Sequence, residues 1–149
     1  MSTNPQPDID AARAIDHLVE ETLLGRRGPG WALPAHAHAL LRLLRFCPGA
    51  AKAHRIDDLA LLLDVTPRDI KAAARTLVCD FGLPIAGSRR PPYGYYLAVT
   101  ADEIGAALDP LVGELRAIAQ RVRSLGGRRR LQELLGQIEL DLSGPEEAA

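Results

Sequence analysis

The sequence predicts a mainly α-helical fold that includes one small β-hairpin. Alanine and leucine are abundant, whereas aromatic residues make up only 4% of the chain, and this balance favours helix over sheet. Most apolar residues recur at helical spacing. Two short runs in the middle of the chain, residues 83–87 and 93–99, are instead typical of strands, and a basic, proline-containing loop joins them.

The composition excludes several classes of protein. Hydrophobic residues make up 47% of the 149 residues, which is enough for a core and excludes a disordered chain. No apolar run approaches the ~20 residues that a membrane span requires, and the N-terminus lacks the apolar segment of a signal peptide. We therefore expect a cytoplasmic protein that does not bind membranes. Cys47 and Cys79 follow no metal-binding spacing and are expected to be free, half-buried thiols.

The charges are segregated along the chain. The net charge of −1 excludes a protein that coats DNA by bulk charge. Acidic residues dominate residues 1–24 and 131–149, whereas basic residues are concentrated between these ends. This asymmetry indicates a local anion-binding face.

The length favours one domain with helical appendages. Residues 1–7 are polar with two prolines, and we expect them to form a disordered leader. Residues 8–30 hold an N-terminal helix and a loop, residues 31–100 the central domain, residues 101–143 C-terminal helices, and residues 144–149 a frayed tail.

Two helices are predicted before the central motif. Apolar residues at helical spacing predict a helix from Asp8 to near Leu24. The second helix follows Pro34, and its leucines together with Phe46 exceed what one apolar stripe requires, so we expect a central core helix. His36 and His38 lie two residues apart, on different sides of this helix, and do not predict a metal site.

Residues 55–100 begin with two helices joined by a tight turn. In the first helix, Asp57 or Asp58 is the expected N-cap, and Leu59, Ala60 and Leu63 are expected to point inward. The turn is expected at residues 63–65.

The second helix is expected to start at Thr66. Thr66 is the N-cap, Pro67 fits the first helical position, and Asp69 can complete a capping box. Residues 80–82 end the helix. The residues expected to face inward are Ile70, Ala73 or Ala74, Leu77 and Val78.

The opposite face of this helix forms an exposed basic stripe. Long cations around the small Ala72 suit a DNA major groove, and the basic tip of the hairpin suits phosphates or a minor groove. Helix, turn, helix and basic hairpin is the order of a winged helix-turn-helix. The candidate DNA-binding residues are Thr66, Arg68, Lys71, Ala72, Arg75, Ser88, Arg89 and Arg90.

A long helical region follows the hairpin. A capping box from Thr100 to Glu103 starts it, and we expect Asp109-Pro110 to interrupt it. An apolar seam then recurs at spacings of three and four. The seam packs on its own domain or pairs with a second copy, and we favour a homodimer. Its residues are Leu108, Leu111, Leu115, Ile118, Val122 and Leu125.

A last helix is predicted after Gly126-Gly127, over residues 128–142. Its apolar residues recur at helical spacing and are expected to be buried. They are Leu131, Leu134, Leu135, Ile138 and Leu142.

Four short motifs carry a resemblance to known proteins: Ile56 with Leu59-Ala60, Thr66-x-Arg68-x-Ile70, residues 82–85 (GLPI) and residues 94–97 (GYYL). In this order they resemble the winged helix-turn-helix domains of bacterial and phage repressors of the deoxyribose-operon, biotin-operon and WYL-regulator type. The resemblance implies a winged helix with N- and C-terminal helical extensions. It also implies that the basic stripe faces bases and phosphates and that Arg89 and Arg90 lie in the wing.

These observations predict a DNA-binding protein, a small phage or bacterial transcriptional regulator that binds double-stranded DNA through residues 66–80 and 87–92. The alternative is a winged-helix module that binds a protein partner in a replication, transcription or packaging complex. No Walker loop or G-x-S-x-G motif is present, and the four histidines have no spacing that builds a site. We therefore expect no enzyme, no catalytic residues, no metal and no cofactor.

Overall fold

The computed structural model of the protein describes residues 6–143, with side chains from Ile9 onwards, and it confirms a mainly helical fold with one small hairpin. In chain order the elements are α1 (Gln6–Leu23), α2 (Ala35–Phe46), a 3-10 helix (Ala50–Lys52), α3 (Ile56–Leu63), α4 (Pro67–Cys79), β1 (Ile85–Ser88), β2 (Gly94–Leu97) and α5 (Ala101–Ser143).

The chain divides into two compact units, one up to Ala107 and the other from Leu108 onwards. The first unit contains α1 to α4, the hairpin and the start of α5. Residues 1–5 of the predicted leader and the predicted tail, residues 144–149, lie outside the described residues. Gln6 and Pro7, also assigned to the leader, instead belong to the first turn of α1.

The predicted central core helix is confirmed as α2. It contacts α1, α3, α4 and β2. Its buried residues are Ala37, Leu40, Leu41 and Leu44. The expectation that Phe46 is part of the core is wrong, because Phe46 lies on the face opposite these residues and its side chain is 87% exposed.

The predicted turn between α3 and α4 is confirmed. Asp64 ends α3 in the left-handed conformation, and the Val65 amide donates to the Ala60 carbonyl at 3.0 Å. The N-cap of α3 is Arg55, so the prediction of Asp57 or Asp58 is wrong. Both carboxylates lie instead within the first turn, where the helix dipole favours negative charge without a capping hydrogen bond.

The hairpin is covered on both faces. Ile85 pairs with Leu97, and both side chains belong to the main helical core. On the opposite face Ala86 and Tyr96 form a second cluster, against which Ile104 of α5 packs. Both faces of the hairpin are therefore apolar, and burial raises the pKa of the Tyr96 hydroxyl, with a smaller contribution from the nearby Glu103 carboxylate.

A single residue before α3 extends the hairpin. The His54 amide donates to the Tyr95 carbonyl, and the Tyr95 amide donates to the His54 carbonyl, each at 2.8 Å. Gly94 makes this close approach possible. It has a φ of 125°, and a Cβ at this position would overlap the His54 carbonyl group.

The loop after α1 is tied to the end of α4. The Arg27 guanidinium donates hydrogen bonds to the Phe81 carbonyl and, at 3.4 Å, to the Thr22 hydroxyl. The Trp31 and Phe81 rings meet edge to face, with centroids 5.1 Å apart. Arg27 therefore has a structural role in the first unit.

The start of α5 is fixed by Glu103. The Glu103 amide donates to the Thr100 hydroxyl at 3.1 Å, as the predicted capping box requires. The Glu103 carboxylate accepts hydrogen bonds from the Val99 and Ala50 amides, and not from the Thr100 amide. Its charge thus links α5 to the 3-10 helix.

The predicted interruption at Asp109-Pro110 is wrong. Helix α5 continues through Pro110: the fixed proline φ lies in the helical range, and the one backbone hydrogen bond that proline cannot form does not end the helix. The backbone dihedral angles of α5 leave the helical region at Gly127, which has a φ of 81°. Gly127 therefore separates the predicted last helix from the preceding part of α5. In that last helix Leu131 and Leu134 are half-buried, whereas the other three residues predicted to be buried are exposed: Leu135, Ile138 and Leu142.

Among the described residues, no helix combines the length and the apolar character that crossing a membrane would require.

We expect Gly94→Ala to lower the free energy of unfolding by at least about 2 kcal/mol, because the new Cβ overlaps the His54 carbonyl and the positive φ is strained for an L-residue. Urea unfolding followed by circular dichroism measures this change. Gly87→Ala is the matched control, since Gly87 lies in the same hairpin and a methyl group added there would meet no atom within 4 Å. Equal losses in the two variants would contradict the constraint at Gly94.

Candidate nucleic-acid interface

Helix α4 separates an apolar face from a basic face. Its buried residues are Ile70, Ala73, Ala74 and Leu77. Arg68, Lys71, Ala72 and Arg75 are all exposed on the other side, as predicted. Val78, which was expected to face inward, is 41% exposed because it lies at the edge of the apolar face, beside Lys71 in helical projection.

A capping box positions the first turn of α4. The Asp69 amide donates to the Thr66 hydroxyl at 3.2 Å, and the Thr66 amide donates to the Asp69 carboxylate at 3.0 Å. Hydrogen bonds from the Thr66 amide and then from its hydroxyl lower the pKa of the Asp69 carboxyl group. Thr66 therefore fixes the start of the basic helix, and its hydroxyl is already occupied.

The tip of the hairpin is ordered by Ser88. The Ser88 hydroxyl donates to the Arg90 carbonyl at 2.7 Å and accepts from the Arg90 amide at 3.3 Å. Arg89 and Arg90 are exposed, whereas Ser88 is half-buried. The peptide bond between Pro91 and Pro92 is cis. The hydroxyl thus shapes the loop that presents the two guanidinium groups.

The cations of α4 and of the hairpin tip are available to a ligand. Within the described residues, the salt bridges involve Arg26, Arg45, Arg129 and Arg130 and none of these cations. Their charge is therefore not neutralised by a carboxylate within hydrogen-bonding distance. The five cations are Arg68, Lys71, Arg75, Arg89 and Arg90.

One core supports both basic elements. Ile70 and Leu77 of α4 belong to the same buried cluster as Ile85 and Leu97 of the hairpin. Between them, Gly82 adopts a φ of 65° and the Leu83 amide donates to the Leu77 carbonyl at 3.0 Å, which ends α4 and starts the hairpin. The two elements are thus held by shared packing and a short connection.

Three supporting contacts were not predicted from the sequence. They are the pairing of His54 with Tyr95, the edge-to-face contact of Trp31 with Phe81, and the hydrogen bond from the Ala50 amide to the Glu103 carboxylate. A glycine within a strand pattern is a signal for close backbone approach, and Gly94 carries that signal. No comparable local signal marks the other two contacts, because they join residues far apart in sequence.

The predicted dimerisation residues lie in the second unit and form an apolar surface on α5. Val122 is half-buried, and the other five are exposed. No residue of α5 is fully buried. The exposed seam residues are Leu108, Leu111, Leu115, Ile118 and Leu125.

Metal-binding groups are not assembled in the part of the chain that the structure describes. No three His, Cys, Asp or Glu side chains there lie close enough to hold a metal ion. Both cysteines are free thiols; Cys47 is half-buried as expected, whereas Cys79 is exposed and the expectation for it is wrong.

Comparison of the chain with protein-family models, with curated protein sequences and with solved structures found no match.

The capping box generates a pH-dependent prediction. The pKa of Asp69 is lower in the folded chain than its unfolded value of about 4, so its stabilising contribution is present above that pH and is lost as the pH falls through the folded pKa. We expect Asp69→Asn to destabilise the protein at neutral pH and to have a smaller effect near the folded pKa. Thr66→Ala is expected to cost about 1 kcal/mol at neutral pH.

Urea unfolding of the parent protein, Asp69→Asn and Thr66→Ala at neutral and acidic pH measures these changes in the free energy of unfolding. Asp64→Asn serves as the control, since Asp64 is exposed and forms no capping box. A loss for Asp69→Asn that stays constant across the pH range would rule out the charged capping box.

Proposed function

We propose that the protein binds double-stranded DNA, with α4 in the major groove and the hairpin tip against the phosphate backbone. The observation that carries this proposal is the set of five exposed cations on α4 and the hairpin tip, none of which forms a salt bridge within the described residues. Cations without carboxylate partners attract phosphates, and release of counterions from DNA adds to the binding free energy.

The order of the elements supports a winged helix-turn-helix as the narrower form of this fold. A left-handed Asp64 joins α3 to α4 in a tight turn, and the hairpin follows α4 directly. The pairing of His54 with Tyr95 adds a third backbone segment to the hairpin sheet. This pairing anchors the hairpin to the residues that lead into α3, which suits a wing that must hold a fixed position on DNA.

The chemistry of the basic face favours contacts with phosphates over contacts with bases. Arginine and lysine bind phosphates at any sequence, whereas discrimination between bases requires hydrogen bonds to their edges. At the centre of the exposed stripe, Ala72 offers only a methyl group, which can approach a thymine methyl. We therefore propose affinity that depends strongly on charge and modest sequence preference.

Within this proposal the protein acts as a small phage or bacterial transcriptional regulator in the cytoplasm. The resemblance of the four motifs in residues 56–97 to repressor domains supports this role.

A second candidate function is a winged-helix module that binds a protein partner. The observation that favours it is the exposure of apolar residues on α3 and α4: Leu61 is 83% exposed, Leu62 65% and Val78 41%. Large apolar side chains in water favour a protein partner over a phosphate backbone. The net charge of −1 also fits this alternative.

The proposal predicts that Arg75→Ala combined with Arg89→Ala weakens DNA binding without loss of helicity. If both guanidinium groups contact phosphates, the slope of log K against log salt falls in magnitude by about 2. Fluorescence anisotropy with a labelled duplex at several salt concentrations measures the slope, and circular dichroism measures the helicity.

Arg13→Ala combined with Arg42→Ala is the matched control, because both arginines are exposed and lie on α1 and α2, outside the basic face. It removes the same charge and should leave the salt slope nearly unchanged. Equal effects of the two double variants would indicate only a response to net charge. An unchanged affinity of the Arg75 and Arg89 variant would exclude the proposed interface.

The two candidate functions differ in their response to Leu61→Ser combined with Leu62→Ser. The protein-interaction module would be selected by two results. The parent protein does not bind duplex DNA, and a partner that the parent captures from the host is no longer captured by the variant. Unchanged DNA binding in this variant, with salt dependence as in the parent, would select the DNA-binding function.

A further inference from the structure

The apolar seam of α5 consists of Leu108, Leu111, Leu115, Ile118, Val122 and Leu125. Exposure of its five exposed residues ranges from 49% to 91%, and no residue of α5 is buried. An amphipathic helix gains most of its stability by burying its apolar face. We therefore expect this surface to pack against another apolar surface, and the arrangement of its residues indicates which surface that is.

The spacing of the seam is the same in both directions. Leu108, Leu115 and Val122 occupy the a positions of a heptad repeat, and the d positions hold Leu111, Ile118 and Leu125. The successive spacings are three, four, three, four and three, which read identically from either end. Two antiparallel copies can therefore pair every a residue with a d residue of the partner.

In this register each residue from the first half of the seam pairs with a residue from the second half of the partner's seam. Leu108 pairs with Leu125 of the partner subunit, Leu111 with Val122 of the partner subunit, and Leu115 with Ile118 of the partner subunit. Pro110 takes a c position, away from the seam. The proline therefore does not disturb the contact.

The charges beside the seam favour the antiparallel direction. Glu114 and Arg121 occupy g positions, both are exposed, and neither forms a salt bridge within the described residues. Antiparallel helices bring g positions of the two copies together, so Glu114 faces Arg121 of the partner subunit, and symmetry forms this pair twice. Parallel helices would instead place Glu114 and Arg121 opposite Ala119 and Gly126, which cannot form an ion pair.

We propose that two copies of this chain associate through an antiparallel pairing of residues 108–125, with the two-fold axis between Leu115 and Ile118. The surface shares no residue with the basic face of α4 and the hairpin. The two surfaces can therefore be altered by separate substitutions.

Charge exchange tests the direction of pairing in the full chain. Sedimentation equilibrium is expected to show a dimer. Glu114→Arg and Arg121→Glu should each raise the dimer dissociation constant by about five- to tenfold, since each disrupts two ion pairs. The variant with both changes should restore the parent value. Arg116→Glu is the control, because it makes the same charge change at an exposed b position outside the seam.

Disulfide cross-linking tests the register in a background with Cys47→Ser and Cys79→Ser. In the antiparallel dimer, the two copies of position 111 are about 16 Å apart along the helix, beyond the Cα separation of about 7 Å that a disulfide tolerates. Leu111→Cys alone should therefore not cross-link, whereas Leu111→Cys combined with Val122→Cys should form a covalent dimer.

Each other outcome overturns the proposal. Cross-linking of the single Leu111→Cys variant would establish parallel helices. A monomer at all concentrations, with no cross-link in either variant, would assign the seam to a contact within its own chain. Failure of the double charge variant to recover dimerisation would exclude the pairing of Glu114 with Arg121.

Discussion

Burial of α2 is the constraint on which the first unit depends. Leu40, Leu41 and Leu44 form the middle of a core that also receives residues from α1, α3, α4 and the hairpin. Each fully buried leucine contributes on the order of 2 kcal/mol through removal of apolar surface from water. The basic face of α4 exists because the opposite face of that helix is held against α2. The hairpin is positioned by the same core through Ile85 and Leu97, so the geometry of all five cations depends on apolar contacts remote from them.

Local signals in the sequence were sufficient to predict most of the helices and the hairpin. Thr66, Pro67 and Asp69 predicted the start of α4 correctly, because capping involves residues only three positions apart. The glycine at position 82 predicted its end for the same reason. The basic stripe of α4 also followed from helical periodicity alone.

Several of the errors share a physical cause. Phe46 and Val78 were assigned inward from their hydrophobicity, but each lies at or beyond the edge of its helix's apolar face, where no neighbouring element covers it. Asp57 and Asp58 are good capping residues, yet packing of Ile56 against the core starts α3 at that residue. Tertiary contacts decide such cases, and one sequence does not contain their geometry.

Local charge and overall charge have different consequences in this protein. The chain is nearly neutral, so long-range attraction to DNA is weak, and binding would depend on short-range contacts within about a Debye length of 10 Å. An antiparallel dimer has a two-fold axis, so it carries two equivalent copies of the basic face. The proposed affinity for DNA therefore depends on the local cations of α4 and the hairpin tip and not on the net charge of the chain.

The Glu103 carboxylate has a consequence for the limits of the folded domain. It accepts hydrogen bonds from the Val99 and Ala50 amides, while Ile104 covers the second face of the hairpin. A fragment cut after the last strand would leave the Ala50 amide without its acceptor and would expose Tyr96 to water. The start of α5 is thus an integral part of the hairpin's support, and a fragment intended to fold alone must extend to about Ala107.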